Sequence, residues 1–188
     1  MTSNQELSPP AGSGGLRWGI KHSFLRYLGS LPDAQCSVTD GASAVTDDTT
    51  PPLGPLFVFT AADDQPPDDQ LADDQLHSPP GGPTVLRYRG DVRFKGHFGF
   101  LRVRVADPWL EIAGDEGKLS AVGIGSEPAP RQPLVTFRVR RDGDGPGEGG
   151  TVFRGTDVRL TAEGSELFGD HYPVGEPFDD FVFEMPRR

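Results

Sequence analysis

The sequence predicts a mainly β (α+β) chain: an antiparallel, two-sheet β domain with an N-terminal amphipathic helix and a short C-terminal helical turn. Three observations carry this expectation. From residue 84 onward, apolar and polar residues alternate in short runs separated by Gly, Pro and Asp clusters, the pattern of strands joined by hairpins. The 188 residues include 25 Gly and 19 Pro, too many turn formers for a helical bundle. Near the N-terminus, one stretch spaces its apolar residues as a helix does.

Residues 1–15 are mostly Ser, Pro, Gly and other polar types and read as a flexible tail. Ile20, Phe24, Tyr27, Leu28 and Leu31 then share one helical face. Gly29 and Pro32 supply stop signals, so a helix is expected over 18–28. Leu56-Phe57-Val58-Phe59 reads as a strand. The stretch 61–83 repeats Asp-Asp-Gln at 63, 68 and 73 and holds six Asp with no Lys or Arg. It is expected to be a disordered acidic insert, because its apolar surface is too small to offset the entropy of ordering it.

A strand is expected over 84–94, with Leu86, Tyr88, Val92 and Phe94 on one face and Arg87, Arg89 and Arg93 on the other. The next, over 98–105, sets Leu101, Val103 and Val105 against Arg102 and Arg104. Strands at 109–112, 118–124, 134–139, 152–160 and 181–183 complete the set, with a helical turn at 161–168 opened by Thr161. The whole of 16–186 is expected to form a single domain.

Charge and length exclude several classes of function. The chain carries 28 acidic and 18 basic side chains, net −10, and offers no basic stripe to a nucleic-acid backbone. Six of the ten net negative charges sit in the insert, so the acidity says little about the folded body. No apolar run approaches the roughly 18–20 residues of a membrane span. The N-terminus shows neither the basic nor the apolar region of a secretory signal, and as it stands the chain reads as cytoplasmic, or as extracytoplasmic with a trimmed N-terminus. Cys36 is the only cysteine, which excludes an internal disulfide; it is expected to be a small buried side chain.

No phosphate loop, dinucleotide fingerprint, nucleophile elbow or HExxH motif is present. The glycine-rich stretch 142–147 begins like a calcium loop, but Pro146 and Phe153 stand where ligands belong, and it reads as a hairpin turn. His22, His77, His97 and His171 have no metal-ligand spacing. His97 stands out because Gly96 and Gly99 flank it within a strand region, which suits either a bulge approached closely by a ligand or a hairpin turn with a packed imidazole. Ser23 and Tyr27 are i and i+4 on the helix stripe; Tyr27 is either a core residue with a satisfied hydroxyl or a functional phenol.

Taken together, Leu16-Arg17-Trp18-Gly19-Ile20-Lys21 with Ser23-Phe24-Leu25-Arg26-Tyr27, and the later Gly90-Asp91-Val92-Arg93-Phe94-Lys95-Gly96-His97-Phe98-Gly99, resemble the HtaA-type haem-binding domain of actinobacterial haem-uptake proteins. The likeness extends over about 16–183 and implies one domain of that type. It implies that Tyr27 is the axial ligand of ferric haem b, that His97 hydrogen-bonds the tyrosine oxygen, and that Ser23 helps hold a propionate. The implied function is storage, trafficking or transfer of haem, with haem and its donor or acceptor proteins as partners and no catalytic residue. Two alternatives stand beside it: a haem-dependent enzyme, for which His171 is the spare acid–base candidate, and an interaction module that has lost haem binding. The secretion signal and membrane anchor usual in that family are not seen in this sequence.

Overall fold

The computed structural model describes residues 15–45, 55–62, 82–125, 129–144 and 151–185. Most of the expected tail 1–15, most of the insert 61–83 and His77 lie outside these. The strands are β1 (Leu16–Trp18), β2 (Gln35–Thr39), β3 (Ala42–Val45), β4 (Leu56–Ala61), β5 (Thr84–Arg89), β6 (Asp91–Gly96), β7 (Leu101–Ala113), β8 (Glu116–Val122), β9 (Arg131–Asp144), β10 (Thr151–Leu160) and β11 (Phe181–Met185). Two short helices, α1 (His22–Gly29) and α2 (Ala162–Leu167), and a 3-10 turn at His97–Gly99 complete the elements discussed below.

The order β7-β5-β4-β1-β11-β10-β9-β8 runs around a closed antiparallel barrel, because β8 also pairs with β7. β6 and then β2 extend from β7, and β3 pairs with β4. The expected two-sheet domain is therefore corrected to an eight-stranded barrel with extra strands. Alternation along a strand tells which side chains point inward; it carries no information on which edges meet, and here the last edges meet each other.

The opening helix expected over 18–28 is also corrected. Trp18 ends β1, where it pairs with Phe57 on one side and Phe181 on the other. Its indole N–H donates to the Asp179 carbonyl at 2.8 Å. Ile20 adopts φ 63, so the chain turns there and α1 begins only at His22. Strand pairing on both sides claims Trp18, and the helical spacing itself begins only at Ile20.

The strand expected over 84–94 is two strands. Gly90, at φ 143, breaks it, and a β-carbon at that position would meet Ala42 at 2.6 Å. Facing the break, β7 carries a bulge between Ala106 and Trp109, with Asp107 at φ 46. The Asp107 and Gly90 backbones bond at 2.8 Å, and the Asp107 carboxylate accepts the Gly90 N–H at 3.1 Å. The bulge bends β7, so its first half pairs with β6 and its second half with β5. Likewise the strand expected from residue 98 starts at Leu101, because 97–99 form the 3-10 turn. Cys36, expected inside, is exposed on the outer strand β2.

Trp18, Phe57, Phe59, Phe181 and Phe183 are fully buried and fill the centre. Among the described residues no helix is long and apolar enough to cross a membrane. Asp91, at the start of β6, is a buried carboxylate bonded by Arg93 at 2.7 Å and Arg104 at 2.8 Å. Burial alone would raise its pKa; the two guanidiniums outweigh burial and hold it below the ordinary value.

A carboxyl depressed in the folded state contributes stability above its unfolded pKa and loses it as the pH falls through the folded value. The melting temperature is therefore expected to fall below about pH 4. Asp91→Asn should cost roughly 1.5–3 kcal/mol at pH 7 and flatten that acid limb, as thermal melts at several pH values would read.

Candidate functional site

α1 is held by the edges of its aromatic ring packing. Phe24 meets Phe94 of β6 at 5.3 Å and Phe168, just after α2, at 5.4 Å, both edge to face. Phe24 and Leu28 are buried on this side of the helix. Tyr27 stands at the margin, 42% exposed.

β6 ends at Gly96, where a β-carbon would lie 2.8 Å from the tip of the Leu31 side chain, so a larger residue would have to push that leucine aside. The chain then enters the 3-10 turn with His97 at φ 50 and Phe98 at φ 54, both in the left-handed region. Three hydrogen bonds hold this conformation. The Phe98 N–H donates to the Asp33 carboxylate, Phe100 N–H to the His97 carbonyl at 3.1 Å, and Arg102 Nε to the Gly99 carbonyl at 2.9 Å. Asp33 lies just beyond α1, so the loop that follows Tyr27 also grips the turn that carries His97. The result is a direct hydrogen bond between Tyr27 Oη and His97 Nε2, with ring centroids 5.8 Å apart.

The pair borders a mainly apolar cleft of about 490 Å³, walled by Phe24, Leu101 and Phe168, with Phe100, His171 and Tyr172 completing it. The far wall, 171–178, is pinned by a buried ammonium. Lys21 Nζ bonds Glu176 at 2.9 Å and the Pro177 carbonyl at 2.7 Å, and lies over the rings of Tyr172 and Phe178 at 5.1 and 5.2 Å. Burial raises the Tyr172 phenol pKa against the lowering effect of its hydrogen bond with Ser23.

Of the residues singled out in the sequence, Tyr27 and His97 are thus in direct contact. Ser23 is exposed one helical turn before Tyr27 and engages Tyr172 without itself lining the cleft. His171 lines the same cleft. Sequence reasoning missed Asp33, Phe100, Phe168 and Tyr172 as parts of the site. Asp33 follows Pro32 in what reads as a helix stop, and Phe100 falls within the strand expected over 98–105, so neither position signals a site. A second depression, of about 550 Å³ over β7, β8, β9 and β10, is lined in part by charges that pair with one another, Arg138 with Glu116 at 2.9 Å and Arg159 with Asp157 at 2.7 Å. Among the described residues no group of three or more His, Cys, Asp or Glu could hold a metal ion.

Fold and site together define a closed antiparallel barrel with a tyrosine–histidine pair at the margin of an apolar cleft. The C-terminal domain of HtaA from Corynebacterium glutamicum has a similar fold, with TM-score 0.62 at 19% identity over 92% of this chain and 96% of that one. The N-terminal domain of the same protein gives 0.60 at 19%, over 95% and 100%. The heme binding protein HtaB of that organism gives 0.60 at 18%, over 92% and 91%. The family model described as Htaa matches residues 13–184, and the chain belongs to the HtaA family. No curated protein matches it.

Asp33→Ala should release the 97–99 turn without unfolding the barrel. Hydrogen exchange at the Phe98 amide is expected to accelerate about tenfold or more, the equivalent of losing a hydrogen bond to a charged group. Amides of β9 and β10 should be unchanged in the same experiment.

Proposed function

We propose that this chain binds ferric haem b in the Tyr27 cleft and stores, carries or passes it on. The observation that carries the reading is the Tyr27–His97 hydrogen bond at the margin of an apolar cleft, in a chain of the HtaA family. We take residues 16–186 as one binding unit.

The donor set suits the ligand. A cleft of about 490 Å³ falls within the usual range for small-molecule sites. Its apolar walls suit a flat macrocycle, and a phenol oxygen is a hard donor that suits ferric iron. Bound ferric iron would supply the Lewis acidity that makes a phenolate stable at neutral pH, since a free phenol ionises only near pH 10.

His97 presents Nε2 to the phenol oxygen, so toward a phenolate it acts as an N–H donor and orients the ring. Burial raises the Tyr172 phenol further, so it stands as a hydrogen-bonding wall residue, not a competing anion. Ser23, exposed beside it, is the hydroxyl assigned to a haem propionate. Neither Tyr27 nor His97 is enclosed, which suits a cargo that must leave again.

Hemin titration with visible and electron paramagnetic resonance spectra tests this. Wild type should bind one hemin as a high-spin ferric tyrosinate complex, and Tyr27→Phe should lose that signature. His97→Ala should keep it but weaken retention by about 1.5–3 kcal/mol, seen as faster haem loss to apomyoglobin. A low-spin wild type that turned high-spin in His97→Ala would make His97 an iron ligand and reverse the two roles. Hemin binding with an unchanged spectrum in Tyr27→Phe would refute the assignment of Tyr27.

A further inference from the structure

Phe98 and Phe100 are the most exposed large apolar side chains among the described residues, at 87% and 93%. Both stand beside the Tyr27 cleft, and Phe100 lines it. Their exposure follows from the backbone. The turn is strained at two consecutive non-glycine residues, His97 and Phe98, and that strain persists because Asp33, Arg102 and the His97 carbonyl each hold one of its groups. A loose loop could fold these rings inward against the barrel. This one keeps them at the rim, on the same short turn that carries the Tyr27-bonded imidazole.

We propose that this turn is a lip that grips the tetrapyrrole ring itself through Phe98 and Phe100, so that the cleft accepts porphyrins whether or not they carry iron. The proposal rests on the haem reading above and extends it from the metal to the macrocycle. A bare cation or a small polar ligand gains nothing from two aromatic faces in water. A flat apolar disc buries them and offers offset or edge-to-face contact. The disc is favoured over a protein surface as occupant because Phe100 belongs to the cleft wall. Since the lip is fixed before the ligand arrives, little ordering is lost on binding.

Iron-free protoporphyrin IX and hemin, each titrated into wild type, Phe100→Ala, Phe98→Ala/Phe100→Ala and Tyr27→Phe, separate the two layers of recognition. Wild type should bind both porphyrins. The double variant should weaken both by a similar factor, about tenfold to hundredfold, with Phe100→Ala accounting for much of it. Phe100 has an ordinary φ of −73, so that variant leaves the strained positions untouched. Tyr27→Phe should weaken hemin much more than the iron-free porphyrin, which has no iron for the phenol to ligate. Circular dichroism should be native throughout, since both lip residues are exposed.

Wild type that bound hemin but not iron-free porphyrin would overturn the lip and leave the haem reading standing. Unchanged affinities in the double variant would also overturn the lip and point to a protein surface as what covers the two rings. Failure of wild type to bind either porphyrin would overturn both readings.

Discussion

The position of everything near the cleft depends on a three-residue strand. β1 is hydrogen-bonded to β4 on one side and β11 on the other, so it is the stave that joins the two halves of the barrel. Trp18 ends it, fully buried, with its indole N–H on Asp179 and its ring against Phe178 and Phe181. Only three residues separate Trp18 from α1, and Lys21 among them is tied to Glu176 and Pro177. The helix therefore has almost no freedom to slide. Tyr27 is placed less by α1, whose eight residues form too short a helix to be stable alone, than by the barrel closure immediately before it.

The two walls of the cleft are held by different forces. The 171–178 wall is fixed by the buried ammonium of Lys21, by Ser165 Oγ donating to the Tyr172 carbonyl at 2.6 Å, and by backbone bonds from Gly175 to Leu160 and Phe178 to Val158. An ion pair buried on one side and shielded by two aromatic rings is screened little by salt. The 97–100 wall is fixed by hydrogen bonds to exposed groups around a strained turn, and it lies at the end of the outlying β6–β2 pair, not in the closed barrel. It is the wall of lower local stability, with fewer buried contacts and more solvent-accessible hydrogen bonds.

The strands after residue 84 were legible because each alternates in its own right: Val103 and Val105 turn inward, while Arg102 is exposed and Arg104 reaches back to Asp91. Barrel closure was not legible, since nothing in β7 or β8 alone marks them as partners. The start of α1 was misread because Ile20 fits the helical stripe by spacing and yet sits at φ 63, a conformation imposed by the reversal out of β1. For the site, Tyr27 and His97 drew notice through their neighbours and through family likeness. Their contact across 70 residues depends on Asp33, a lone carboxylate with no periodic or motif signal. Phe100 was concealed for a related reason: an aromatic residue in an alternating run reads as core, and only the turn's left-handed residues reveal that it faces water.

These asymmetries bear on how such a cleft would release a cargo. A ligand gripped between a stiff wall and a weaker one leaves by displacement of the weaker one. Here the weaker wall carries His97, so any motion that opens the cleft on that side also breaks the hydrogen bond to Tyr27. Under the proposed function, loosening of the rim and loss of support for the phenolate are one event, not two. The strain stored at His97 and Phe98 favours that motion, since leaving the left-handed region relieves it, while the hydrogen bonds to the Asp33 carboxylate, the Gly99 carbonyl and the His97 carbonyl oppose it. Retention would then be set by the balance between this strain and these hydrogen bonds. Such a balance can be tipped by anything that competes for the Asp33 carboxylate or draws the exposed Phe98 and Phe100 rings into its own surface, with no change required in the barrel.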